Sequence, residues 1–295
     1  MSHVDALLNK SSEFPVCRSF DCQRVLRLKS SMTPALFKSH LEFDKKQIRQ
    51  RREKNIALKK HVAEVTKKLQ QENDKILQTT LDKHSHLTKE NVRLLQIPSG
   101  YSKLAPASKT RVEKYIEHVN SIIEEAGKFS SASEVVYDQH HDAHGKMLQV
   151  EKRLNKTPAL RDISDRICTM CKGGCCTKGG EHAYLSVFTL RTYMDANPDL
   201  TAEMLRELYL SHISSQSIEG SCINHSNTGC ALPRELRSAI CNGYYCDALK
   251  AYQKTDKQEE GAVLVVQRAY TNWNWSEPDV SNEVVNVSLV DVQIK

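Results

Sequence analysis

Aromatic residues make up only 6% of this chain, with two tryptophans in 295 residues. That is little material for one continuous large core, so part of the chain is expected to lie outside a compact core. Long apolar runs are also missing: the longest obvious one is Ala262 to Val266, far short of the ~18 residues that cross a bilayer. Met1 to Lys10 carries an Asp and a Lys and no apolar segment of signal-peptide length. These absences argue against a membrane role and for a cytoplasmic protein whose thiols stay reduced. A Gly-rich strand–turn–helix cofactor motif is lacking as well, because Gly173-Gly174 and Gly179-Gly180 both belong to a cysteine loop. With 39% hydrophobic and 26% charged residues the chain is of the folded class, and its length accommodates two domains.

Cysteine is unevenly spread. Eight of the ten lie between Cys168 and Cys246, and four of these fall in the nine residues Cys168-Thr169-Met170-Cys171-Lys172-Gly173-Gly174-Cys175-Cys176. Packing does not call for such clustering, whereas a metal site needs several soft ligands brought to one point. Cys168 and Cys171 form a C-x-x-C knuckle, and the glycine pair lets the backbone fold back towards Cys175. The vicinal pair Cys175-Cys176 is hard to place on one ion, since adjacent side chains of extended backbone point to opposite sides. Two neighbouring sites and one polynuclear cluster are both consistent with it. The second thiol set is Cys222, Cys230, Cys241 and Cys246. The candidate cofactor is zinc or iron, including a 4Fe-4S cluster.

The order Cys168-x2-Cys171-x3-Cys175-Cys176, Cys222, Gly229-Cys230, Arg237-x3-Cys241 and Tyr244-Tyr245-Cys246 resembles the YkgJ-like CxxCxxCC cysteine-cluster family. That family is described as a zinc- or iron-chelating domain with eight characteristic cysteines, and its name is tied to flagellin lysine N-methylase. The resemblance covers about residues 160–250 and implies all eight thiols as ligands. This chain has Cys222-Ile223-Asn224-His225 and Arg237-Ser238 where many relatives have Cys-Pro-Phe-Leu and Arg-Pro.

The expected fold is a mainly α N-terminal half, a long helical hairpin or coiled coil, followed by a small α+β cysteine-rich metal-binding domain. Its parts are a flexible arm over 1–32, a helical region over 33–160 and a cysteine-cluster domain over 161–295 ending in a β-hairpin. Thr33-Pro34 reads as a helix start, with helical pattern to about Gln96 and a turn at 97–106. The apolar seam runs through Phe37, Leu41, Ile48, Leu58, Val62, Val65, Leu69 and Ile76, interrupted by Asp44, Arg51, Asn55 and Glu72. Further helices are expected from Ser108 or Thr110, from Ser131, from Thr201 with Met204, Leu205, Leu208 and Tyr209 inward, and after Cys246. Ala183 to Leu190 reads as a short strand or as a lead into a helix. Gly261–Tyr270 and Glu283–Ile294 read as paired strands.

Several features have a plain reading beside a functional one. The basic run Lys45 to Lys68 could meet phosphates, but a solvated helix face is the better reading. His140 and His144 share helical ligand spacing, yet His141 stands where a metalloprotease has Glu, so a polar helix surface is preferred. Trp273 and Trp275 read as a hairpin flank covering the core rather than a stacking platform, and Cys17 and Cys22 as incidental thiols. The preferred function is metal or iron–sulfur binding, with the helical arm engaging a protein partner or a second copy. The alternatives are a lysine N-methylase-like enzyme and a coiled-coil scaffold or nucleic-acid-associated protein.

Overall fold

The computed structural model describes residues 19–100, 103–135, 141–171, 174–254, 261–269 and 282–292, excepting the side chains of 141–144. Cys17, His140, Trp273 and Trp275 lie outside the described residues, as does the side chain of His144. The chain divides into two compact units, 1–67 and 68–295. None of the described helices is long and apolar enough to cross a membrane.

In the first unit, α1 (Phe20–Leu28) precedes the beginning of α2 (Pro34–Lys83). Residues 20–28 are therefore helical where an irregular arm is expected from sequence. Val25 and Phe37 are buried. Asp44, which interrupts the apolar seam, is buried as well and is held by His40 at 3.1 Å and Arg24 at 3.7 Å. From Arg49 to His61 every residue is exposed, including Leu58 of the expected seam. That segment carries six Lys or Arg against one Glu.

The second unit is α+β, and it revises the expected helical hairpin. Helix α2 stops at Lys83, and Val92–Ser99 forms a strand, β1, where continued helix is expected. The chain is turned by side chains rather than by Gly or Pro: the Thr88 amide donates to Asn91 Oδ1 at 2.6 Å, and Asn91 Nδ2 donates to the His86 carbonyl at 3.2 Å. Strand β1 pairs in parallel with β6 (Gly261–Ala269), Val92 opposite Ala262, and β6 pairs antiparallel with β7 (Val284–Val292). The expected hairpin strands do pair, and β1 completes a three-stranded sheet in the order β1-β6-β7. Pro98 is accommodated because β1 is an edge strand. Ala262–Val266 is buried throughout, as a central strand covered on both faces requires.

One face of the sheet packs Leu95, Ile97, Val263 and Val265 against α5 (Pro158–Met170) and α9 (Asp247–Tyr252) through Ile163, Ile167 and Leu249. The other face packs Val92 and Leu264 against Ile76, Leu77 and Leu81 of α2. A separate core is built by α3 (Lys109–Ala126), α6 (Val187–Ala196) and α7 (Ala202–Ser211), with Tyr115, Val119, Leu190, Leu205 and Tyr209 at its centre. Ser108, Ser186 and Thr201 cap these helices, each accepting from an amide three residues on. Met204 is 49% exposed rather than inward. Short strands β2 (Leu104–Pro106) and β3 (Gln216–Ile218) pair antiparallel, as do β4 (His225–Ser226) and β5 (Gly229–Cys230). The remaining helices are α4 (His141–Asn155) and α8 (Ala239–Gly243).

Candidate metal centre

Cys168 follows the buried face of α5, and Cys171 is its C-cap, its amide donating to the Cys168 carbonyl at 3.2 Å. The last carbonyls of this helix are satisfied from the sheet side: Gln267 Nε2 donates to Met170 O and the Gly100 amide to Cys171 O, both at 2.7 Å. Cys175 (φ −67°, ψ −38°) leads into a 3-10 turn over Cys176–Gly179. The vicinal pair is thus in helical rather than extended backbone.

The second thiol set is laid against this loop by main-chain bonds. The Cys222 amide donates to Cys176 O at 3.1 Å and the Ile223 amide to Gly180 O at 2.9 Å. A Cβ on Gly179 would stand 3.0 Å from Cys222 Cβ and 3.2 Å from its Sγ, so the missing side chain is what admits Cys222. Cys230 pairs with His225 across β4 and β5. Ser238 Oγ accepts from the Cys241 amide at 3.3 Å, and the Cys241 thiol points to the Ala183 carbonyl at 3.8 Å. Cys246 is the N-cap of α9. No disulfide joins the nine described cysteines.

Over the thiols lies a backbone turn that the sequence does not advertise. Ala183 and Tyr184 have φ of 51° and 56°, the left-handed region that costs an L-residue ~1 kcal/mol or more. Residues 183–186 are neither strand nor helix, and the helix begins at Val187. The turn is held by the Ala183 amide on Gly179 O at 2.7 Å and by the Tyr184 phenol on the Cys175 carbonyl at 3.2 Å. Burial pushes the Tyr184 phenol up to about 12, with Cys241 and Cys175 adding to the shift.

Electrostatically the eight thiols form one neighbourhood. Burial raises the Cys168 thiol well above its ordinary range, and Cys175, Cys171 and Cys246 raise it further. Cys176 is raised first by burial and then by Cys168, Cys241, Cys222 and Cys175. Burial likewise takes Cys175 and Cys241 up to about 11 and Cys222 up to about 12, while Cys230 bears on both Cys222 and Cys241. Lys250, Arg237 and Arg111 act in the opposite direction on Cys175, Cys241 and Cys222. Among the described residues no three donors converge at ligand distance. The donor set nevertheless suits a soft cation: Cys222 is buried, Cys241 is exposed and the other six are half-buried, and thiols that crowd one another are stabilised as thiolates by a positive ion among them.

A polar cluster adjoins Cys168 and Cys246. Arg234 Nη1 donates to both oxygens of Asp165, at 3.1 and 2.8 Å, and the Tyr245 phenol donates to the same carboxylate at 2.7 Å. Asn242 links Arg234 O to Glu151 Oε1 at 2.9 and 2.7 Å. No motif in the sequence marks Asp165 or Arg234, although Asp165 stands one helical turn before Cys168. His225 is buried, its Nδ1 2.7 Å from Ser221 Oγ, and burial lowers it to about 4; it is a neutral neighbour of the thiols. The chain matches no family model, no curated protein and no solved structure.

Proposed function

We propose that this chain binds zinc or iron through Cys168, Cys171, Cys175, Cys176, Cys222, Cys230, Cys241 and Cys246, as a structural ion site or an iron–sulfur centre. The observation that carries this reading is that main-chain bonds lay Cys222 against the Cys176–Gly180 loop, bringing thiols from two parts of the chain together without a disulfide among them. The resemblance to YkgJ-like cysteine-cluster proteins supports the same ligand set. A bound cation would supply charge compensation to the thiolates and, if it is an iron–sulfur cluster, electron transfer. This chain's own residues bring the ligands together. Gly179 admits Cys222, Tyr184 covers Cys175, and the Asp165–Arg234–Tyr245 cluster fixes the helix end and the residue before Cys246.

Metal analysis and an absorption spectrum on protein purified without oxygen test the reading. Iron with sulfide and a broad sulfur-to-iron absorption makes the site a cluster; zinc in a colourless solution makes it a structural centre. Protein that is free of both and takes up neither on anaerobic reconstitution defeats it.

The arm has a role of its own in this reading, as a surface for a protein partner. Residues 49–61 expose six cations, and Arg49, Lys54, Lys59 and Lys60 have no acidic partner among the described residues. An acidic partner helix complements that charge, with the exposed Ile56 and Leu58 as its apolar contacts. Reversing Lys54, Lys59 and Lys60 to Glu abolishes association with such a partner. Unchanged association would rule the segment out.

A further inference from the structure

The packing of the two cores divides the eight thiols. Cys222 belongs to the core of α3, α6 and α7, and Cys176 and Cys230 pack against it. Cys168 and Cys246 pack instead against the core between the sheet, α5 and α9. Cys241 goes with the first group: its thiol points to the carbonyl of Ala183, a buried member of that core. Cys171 goes with the second, one turn beyond Cys168 and hydrogen-bonded to it at the end of the same helix. The vicinal pair remains. Cys175 and Cys176 are consecutive residues of a helical turn, where adjacent side chains diverge by about 100–120°. With Cys176 packed on the first core, Cys175 is turned away from it, towards the second.

Building on the metal-binding reading, we propose that the eight thiols form two adjoining four-thiolate sites, Cys168, Cys171, Cys175 and Cys246 in one and Cys176, Cys222, Cys230 and Cys241 in the other, each complete for one zinc-class divalent ion. Four sulfurs close the tetrahedron of a structural zinc. Each ion displaces four thiol protons and leaves a site of charge −2. Lys250 lies beside the first set, and Arg111 and Arg237 beside the second. The sites are neighbours rather than strangers, since Cys168 acts on Cys176 and Cys175 on Cys241 across the divide. The polypeptide passes from one to the other at the bond between Cys175 and Cys176.

That bond supplies the test, because trypsin releases Gly173–Lys178 as one peptide containing both thiols. Metal-free full-length protein receives one equivalent of zinc, is alkylated under native conditions until the metal-free reference is fully labelled, and is mapped by mass spectrometry. The expected product is this peptide carrying one label. The companion protein is the Cys222→Ser/Cys230→Ser double variant, which is expected to hold one zinc against two in the wild type and to protect Cys168, Cys171, Cys175 and Cys246 together. Peptide with only zero or two labels, combined with loss of all zinc in a variant whose circular dichroism is intact, overturns the division in favour of one indivisible cluster. Full labelling of all eight thiols at every zinc concentration has a different meaning and overturns the metal-binding reading itself.

Discussion

Gly229 turns β4 into β5 at φ 109°, and a Cβ there would stand 2.5 Å from Thr169 Cγ2. Two separate penalties therefore meet any side chain at this position: backbone strain of ~1–3 kcal/mol and overpacking of similar size. Gly229→Ala is expected to cost about 3 kcal/mol in urea unfolding. Thr169→Ser removes the nearest methyl but leaves Thr169 Cβ at 3.0 Å, so combined with Gly229→Ala it recovers only part of the packing penalty, and a double-mutant cycle measures that coupling. Full recovery would mean that the torsion is not strained. His118 offers a titration with a definite sign. Burial lowers its pKa, opposed by its bond to the Leu185 carbonyl, with Nε2 3.1 Å from the oxygen. Below the ordinary histidine range the unfolded chain therefore binds a proton that the folded chain resists, so stability is full above about pH 6.5 and falls as the pH drops through the folded value. His118→Gln should flatten the decline in melting temperature between pH 7.5 and 5.5. An unchanged slope would remove His118 as a contributor.

At the scale of elements, α2, β1 and β6 meet around a charge. Arg268 is fully buried near the end of β6. Its guanidinium donates to Glu72 Oε2, Asn73 Oδ1 and the Asn282 carbonyl at 2.7 Å and to Gln96 Oε1 at 2.9 Å. Arg268→Lys keeps the charge but not the planar fork, and the amide and carboxylate acceptors lose their donors in the interior. A destabilisation of about 3 kcal/mol is expected by chemical denaturation; a change below ~1 kcal/mol would show that water replaces the fork. Nothing near Arg268 in sequence announces this network, because its partners on α2 and β1 are brought in by tertiary folding. The same distinction runs through the fold. The branched runs of β6 and β7 and the cap Thr201 were legible because propensity and capping are local, whereas the start of α3 was legible only as Ser108 or Thr110, and the capping-box pattern at Thr110 gives way to a cap by Ser108. The end of α2 was not, since between His84 and Gln96 there is neither Gly nor Pro, and the stop is made by Thr88 and Asn91 side chains. Nor was β1, whose parallel partner lies on the far side of the cysteine region. In the candidate site the thiols themselves were legible from spacing. Tyr184 was not: it lies in an apolar run, but its left-handed backbone depends on the Gly179 loop and on contact with Cys175.

Across the second unit as a whole, the thiols occupy a position that neither core holds alone. Cys222 and its neighbours pack on the α3–α6–α7 core, and Cys168 and Cys246 pack on the core against the sheet. Ions held there would couple two hydrophobic clusters that otherwise have separate memberships, and their binding free energy would count towards the folding of both. A ligand at a thousandfold its dissociation constant stabilises the native state by about 4 kcal/mol, which for a unit of this size corresponds to a melting-temperature shift on the order of 10 °C. Chelation under reducing conditions should lower the transition by that order. It should also lower amide-exchange protection of α3 and α5 together, although the two helices sit in different cores. Protection lost in α5 and retained in α3 would show that the metal serves the sheet-side core only. Protection unchanged in both would mean that the cores are held by their apolar contacts alone and that the thiols act in chemistry rather than in folding.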